Sequence, residues 1–118
     1  MQLRPAELVA AARAAGKLDN VFVEQAALGG NRELVALALS ELSGAPEAKV
    51  RRILAARNAK PLVALVWHAH LPMRTAFKIQ TAVMRLPAHE LLPARGGVNF
   101  PLSKEEMRWH LNYFEIAV

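Results

Sequence analysis

His68, His70, His89 and His110 are the side chains of this chain best suited to metal ligation or general-base work. Their spacing argues against both roles. His68 and His70 are two apart, which sets them about 200° round a helix, so one ion could not reach both. No carboxylate lies beside them in sequence, and His89 and His110 fall at no ligand-like interval. The chain contains no cysteine, which removes thiolate nucleophiles, thiolate zinc sites and disulfides, and fits a reducing compartment. Gly96-Gly97 lacks the preceding strand that a phosphate loop requires. Glu105 and Glu106 are adjacent at a helix start, where capping and the helix dipole account for them. These residues predict no catalytic group, no metal and no cofactor, and the chain reads as not an enzyme.

What remains is positive charge and a cluster of rings. The net charge is +5, and it is unevenly spread. Residues 31–60 hold six basic against three acidic groups, and residues 61–98 hold four against one. Lys49, Arg51, Arg52 and Arg57 fall on a predicted fourth helix. Arg74, Lys78 and Arg85 fall on a predicted sixth, at i, i+4 and i+11. Stacked hairpins would put both helices in one layer and merge these faces into an anion- or partner-binding surface, suited to phosphates, an acidic peptide or an anionic membrane surface. Solvated outer faces of amphipathic helices carry the same residues. Leu39 to Arg57 also reads as a helix-turn-helix, with Gly44 in the turn and Lys49, Arg51 and Arg52 offered to a major groove. A plain αα-hairpin gives an identical pattern. Near the C-terminus, Trp109, Tyr113 and Phe114 are candidate interface residues, with Trp109 and Tyr113 as i, i+4 neighbours. The alternative is a helix that simply caps the end of the array.

Helices must position these groups. The apolar share is 53% but the aromatic share only 6%, so Leu, Val and Ala build the core, and Ala and Leu favour helix. No run of β-branched and aromatic residues calls for a strand. Leu8-Val9-Ala10-Ala11 recurs as Leu34-Val35-Ala36-Leu37 and as Leu62-Val63-Ala64-Leu65, at intervals of 26 and 28 residues. Each copy opens a helix, a turn and a second helix. The expected helices are 5–15, 20–28, 32–43, 46–57, 61–70, 73–85, a short turn at 87–92, and 103–116. Asn31 and Ser103 are predicted N-caps, with Glu106 completing a capping box. The predicted core is Leu37, Val50, Ile53, Leu54, Leu62, Leu65, Val66, Phe77 and Val83. The fold class is therefore all-α: three stacked helical hairpins of 26–28 residues plus a C-terminal capping helix, either a HEAT-like α-solenoid or a compact helical bundle.

The run Leu34 to Leu71, with Phe100-Pro101-Leu102-Ser103 and Met107-Arg108-Trp109-His110-Leu111, resembles an alphaproteobacterial family of HEAT-like proteins of unknown function. That resemblance implies hairpin architecture and a bacterial cytoplasmic setting, and transfers no active site. At 118 residues the chain is one domain by length, and it is compatible with being part of a longer protein. Its longest apolar stretch, Leu62 to Trp67, is far short of the roughly 20 residues of a membrane span. The expected function is a non-enzymatic interaction module for a protein partner, through the basic face or the aromatic C-terminal helix. Nucleic-acid binding through Leu39–Arg57 is the alternative, and homo-oligomerisation is left open.

Overall fold

Four helices in this chain begin at polar side-chain caps, the fourth and sixth begin after prolines, and each helix is followed by a residue with positive φ. The computed structural model describes residues 3–118. The elements are α1 (Pro5–Ala14), α2 (Asn20–Leu28), α3 (Arg32–Ser43), α4 (Glu47–Ala55), α5 (Ala59–His68), α6 (Met73–Ala82) and α7 (Lys104–Tyr113), with one 3-10 turn at Ala88–Glu90. Among the described residues there is no strand. One isolated bridge between Arg95 and Asn99 closes the turn at Gly96-Gly97.

Asp19, Asn31, Asn58 and Ser103 each accept a first-turn backbone N–H at 3.1 Å. These bonds satisfy donors that have no partner inside the helix. The Asn58 cap starts α5 at Ala59, two residues before the predicted start, so Pro61 lies within the first turn, where its missing N–H does no harm.

The helix ends are less regular. α1, α2 and α3 are followed by Gly16, Gly30 and Gly44 at φ 70°, 68° and 77°. The predicted ends of α2 and α3, at 28 and 43, coincide with the observed ones. The last four helices are followed instead by Arg57, His70, Arg85 and Glu115, at φ 46°, 62°, 53° and 59°. Each was expected to run two or three residues further than it does, because no glycine announces the stop. Arg57 and Arg85 are thus turn residues, not members of α4 and α6.

α5 lies at the centre. Pro61 through Val66 are all buried, and α5 packs against α3, α4, α6 and α7. α3 packs against α1, α2, α4 and α5, so the first helices of the three hairpins form a continuous row. The second helices do not. α2 packs on α6, while α4 lies on α3 and α5. The radius of gyration, 13.4 Å, matches the roughly 13.5 Å expected of a compact chain this long, so the hairpins fold back on themselves rather than extending. Of the predicted core, Val50, Ile53, Leu54, Leu62, Leu65, Val66 and Val83 are buried. Leu37 and Phe77 are half-buried: Leu37 borders the cleft under α1, and Phe77 borders one against Pro93 and Ala94.

Three polar contacts tie distant elements. The Gln80 amide, fully buried on α6, donates to Leu92 O at 3.1 Å and accepts from Leu92 N at 2.8 Å, holding down the segment after the 3-10 turn. Arg32, the first residue of α3, donates to Leu54 O at 3.4 Å and to Val83 O at 3.1 Å. One guanidinium therefore satisfies carbonyls at the C-terminal ends of both α4 and α6, where positive charge also meets the negative ends of the helix dipoles. Glu24 links α2 to α6, as described next.

Candidate interaction site

Of the seven basic residues singled out in the sequence, four are engaged within the chain. Arg74 and Lys78 lie on α6 as expected, but both turn toward Glu24 of α2, at 3.4 Å and 3.5 Å. Glu24 is buried and also accepts the Thr75 hydroxyl at 2.7 Å and the Asn20 amide at 3.1 Å. Burial pushes this carboxyl up, but those hydrogen bonds and the Arg74 charge outweigh it and hold it below its ordinary value. The pair Arg74 and Lys78 thus completes an internal network. Glu24 escaped the sequence reading because a lone acid on a helix usually faces solvent; its place next to Val23 on the apolar side of α2 was the available signal.

On α4, Arg51 pairs with Glu47 at 2.6 Å and lies 3.9 Å from Glu33 of α3. Lys49 donates to Glu115 O, beyond α7, at 2.6 Å. The two residues therefore point to opposite flanks of α4, and the expected row of Lys49, Arg51 and Arg52 along a recognition helix is broken up. Arg52, Arg57 and Arg85 take part in no ion pair among the described residues. α4 and α6 share α5 as a neighbour, but α4 also packs on α3 and α6 also packs on α2.

Aromatic residues mark the second candidate region. α7 buries Met107 and Leu111 against α5, with Ile116 buried just beyond its end. The opposite side carries Trp109 and Tyr113, 61% and 70% exposed. Their rings stack at 5.9 Å with an interplanar angle of 20°; His110 meets Trp109 edge-on at 5.0 Å, and Phe114 meets Tyr113 edge-on at 5.3 Å. Beside them runs a groove of about 640 Å³. Its walls are Arg52 and Ala56 of α4, Asn58 of the following turn, Pro61 of α5, and Trp109, His110, Tyr113 and Phe114. Arg52, from the basic set, and the three aromatic candidates are therefore brought together, which their separation in sequence did not announce. His110, half-buried in the wall, is held below its usual range first by burial and further by Lys60, against an opposing pull from Glu106. On α5, the Trp67 ring takes the Arg108 guanidinium at 5.8 Å from its centroid.

Nothing in this groove pairs a nucleophile with a base. Among the described residues no three His, Asp or Glu side chains are grouped to hold a metal ion, and no helix is long and apolar enough to cross a membrane. What the site offers chemically is two stacked rings, an arginine with no carboxylate, and the amide of Asn58.

A family model for a bacterial family, described as an uncharacterised protein conserved in bacteria (DUF2336), matches residues 2–97, and the chain belongs to that family. The match includes the run Leu34 to Leu71 but stops before Phe100, so α7 and its aromatic face lie outside it. No curated protein and no solved structure matches the chain.

Proposed function

We propose that this member of the DUF2336 family is a non-enzymatic interaction module that docks a protein partner in the groove between α4 and α7. The observation that carries the reading is the exposure of Trp109 and Tyr113 on a helix whose other side is fully committed to the core. Covering the open part of each ring, roughly 100–150 Å², would stabilise a complex by about 3 kcal/mol per ring at ~25 cal/mol per Å². Aromatic residues and arginine are the side chains most enriched at binding hot spots, and here they share one groove. The engagement of Lys49 and Arg51 on opposite flanks of α4 favours a protein over a DNA duplex as the occupant. The continuous row of α1, α3 and α5 supports a HEAT-like relationship, in a bacterial cytoplasmic setting.

The test is a comparative pull-down from host-cell lysate with the native chain, Trp109→Ala and Arg52→Ala. The expected result is a protein retained by the native chain and lost from both variants, while circular dichroism and melting temperature stay unchanged. Identical retention by all three would overturn the reading.

A further inference from the structure

We infer that the partner segment entering this groove is acidic, with an apolar anchor against the rings and carboxylates running from Arg52 onto Arg57 and Arg85; this rests on the groove being the docking site. The first ground is how charge is spent. Of the seven basic candidates, Arg51 pairs with Glu47, Arg74 and Lys78 share the single charge of Glu24, and Lys49 is tied to a backbone carbonyl. Arg52, Arg57 and Arg85 are the three with neither an ion pair nor a side-chain hydrogen bond among the described residues, and planar guanidinium groups recognise carboxylates by paired hydrogen bonds.

The second ground is placement. Ala56 and Asn58 line the groove, and Arg57 lies between them in the chain. Arg85 sits on the turn after α6, and Arg32 joins that turn to the end of α4 by holding Val83 O and Leu54 O together. Two carbonyl oxygens bound to one guanidinium lie within roughly 9 Å of each other, given hydrogen-bond lengths near 3 Å. The bridge therefore holds together the C-terminal ends of α4 and α6, the two ends that Arg57 and Arg85 follow.

The third ground is backbone conformation. Arg57 and Arg85 have φ of 46° and 53°, where an L side chain is strained and glycine is not. The first three helices of the same chain use glycine at the equivalent place. Arginine at these two positions, like His70 and Glu115 after α5 and α7, takes a backbone conformation that favours glycine and keeps its charged side chain. The consequence is separable by mutation: replacing both with glycine removes the charge and relieves the strain together.

The experiment is an NMR titration of the full ¹⁵N-labelled chain at physiological salt. The probes are a short synthetic peptide with a Leu-Phe centre followed by a run of glutamates, the same peptide with glutamines, and a short DNA duplex. The expected result is that the acidic peptide shifts amides at 52, 56–58, 85 and 109–114, and that the glutamine peptide binds the same place about tenfold more weakly. The Arg57→Gly/Arg85→Gly double variant should lose about the same tenfold for the acidic peptide only, with a melting temperature equal to or above that of the native chain. Arg51→Gln, already paired internally, should leave both affinities within about twofold. Equal binding of the acidic and glutamine peptides, still dependent on Trp109, would overturn the acidic segment and leave the groove intact as a docking site. Binding of neither peptide at the groove would overturn both. Tighter binding of the duplex than of the acidic peptide, lost in the double-glycine variant, would overturn the inference in favour of nucleic acid.

Discussion

The Thr75 hydroxyl donates to the buried Glu24 carboxylate at 2.7 Å, joining α6 to α2 across 51 residues of sequence. With Asn20, Arg74 and Lys78 around the same two oxygens, the acid is fully provided with partners. Glu24→Ala should destabilise the chain by about 2–4 kcal/mol, since it leaves a buried hydroxyl without an acceptor and two cations without their counter-charge. Urea unfolding at neutral pH measures this. Because the folded carboxyl titrates below its ordinary value of 4.5, its contribution is present above that pH and is lost as acid takes the pH through the folded value. The stability of Glu24→Ala should accordingly fall less steeply with acid than that of the native chain.

Leu65 is fully buried at the middle of α5. Leu65→Ala should cost about 2–5 kcal/mol, the range for cavity formation in a close-packed core. A loss well under 1 kcal/mol in denaturant titration would show that α5 is not the element on which the others are assembled.

Arg32→Ala removes donors from two helix ends at once. The expected loss is about 1–3 kcal/mol, because Leu54 and Val83 are buried and their carbonyls lose the donor that satisfies them. Hydrogen exchange locates the effect: amides near 56–58 and 84–86 should exchange faster, while those in the middle of α5 remain protected.

His110 supplies a second pH signature of opposite chemical type and the same sign. Its neutral form is the one the fold favours, so its contribution is complete above the ordinary value of 6.5 and declines as pH falls toward the folded value. His110→Gln should flatten the stability profile just below pH 6.5 while leaving the carboxylate-driven limb at lower pH in place.

The all-α class, the order of the helices and most of the core were legible because leucine and valine repeat at helical spacing. Asn31 and Ser103 as caps and the glycines after α2 and α3 made those boundaries legible; the Asn58 cap went unread, and so did the ends where Arg57, His70, Arg85 and Glu115 do glycine's work. The apolar residues of α7 could be sorted from spacing alone, with Trp109 and Tyr113 on one side and Met107, Leu111 and Phe114 on another. Which side was covered depended on α5, a tertiary fact. The fate of the basic residues was the least readable part. Arg74 and Lys78 look like a solvent stripe along α6, and only the packing of α2 on α6 brings Glu24 beneath them.

α1 differs from every other helix in holding a single buried residue, Val9, against α3. One valine and a surface ion pair between Arg13 and Glu41 are a thin hold on ten residues of helix. The chain should therefore behave as two cooperative units of unequal size. The α2–α7 body unfolds as a whole, while α1 opens and closes on its own, far below the denaturant midpoint of the rest. Proteases with specificity for alanine-rich or basic sites would reach Arg13 in that open form, and the trimmed body would keep nearly all of its cooperativity.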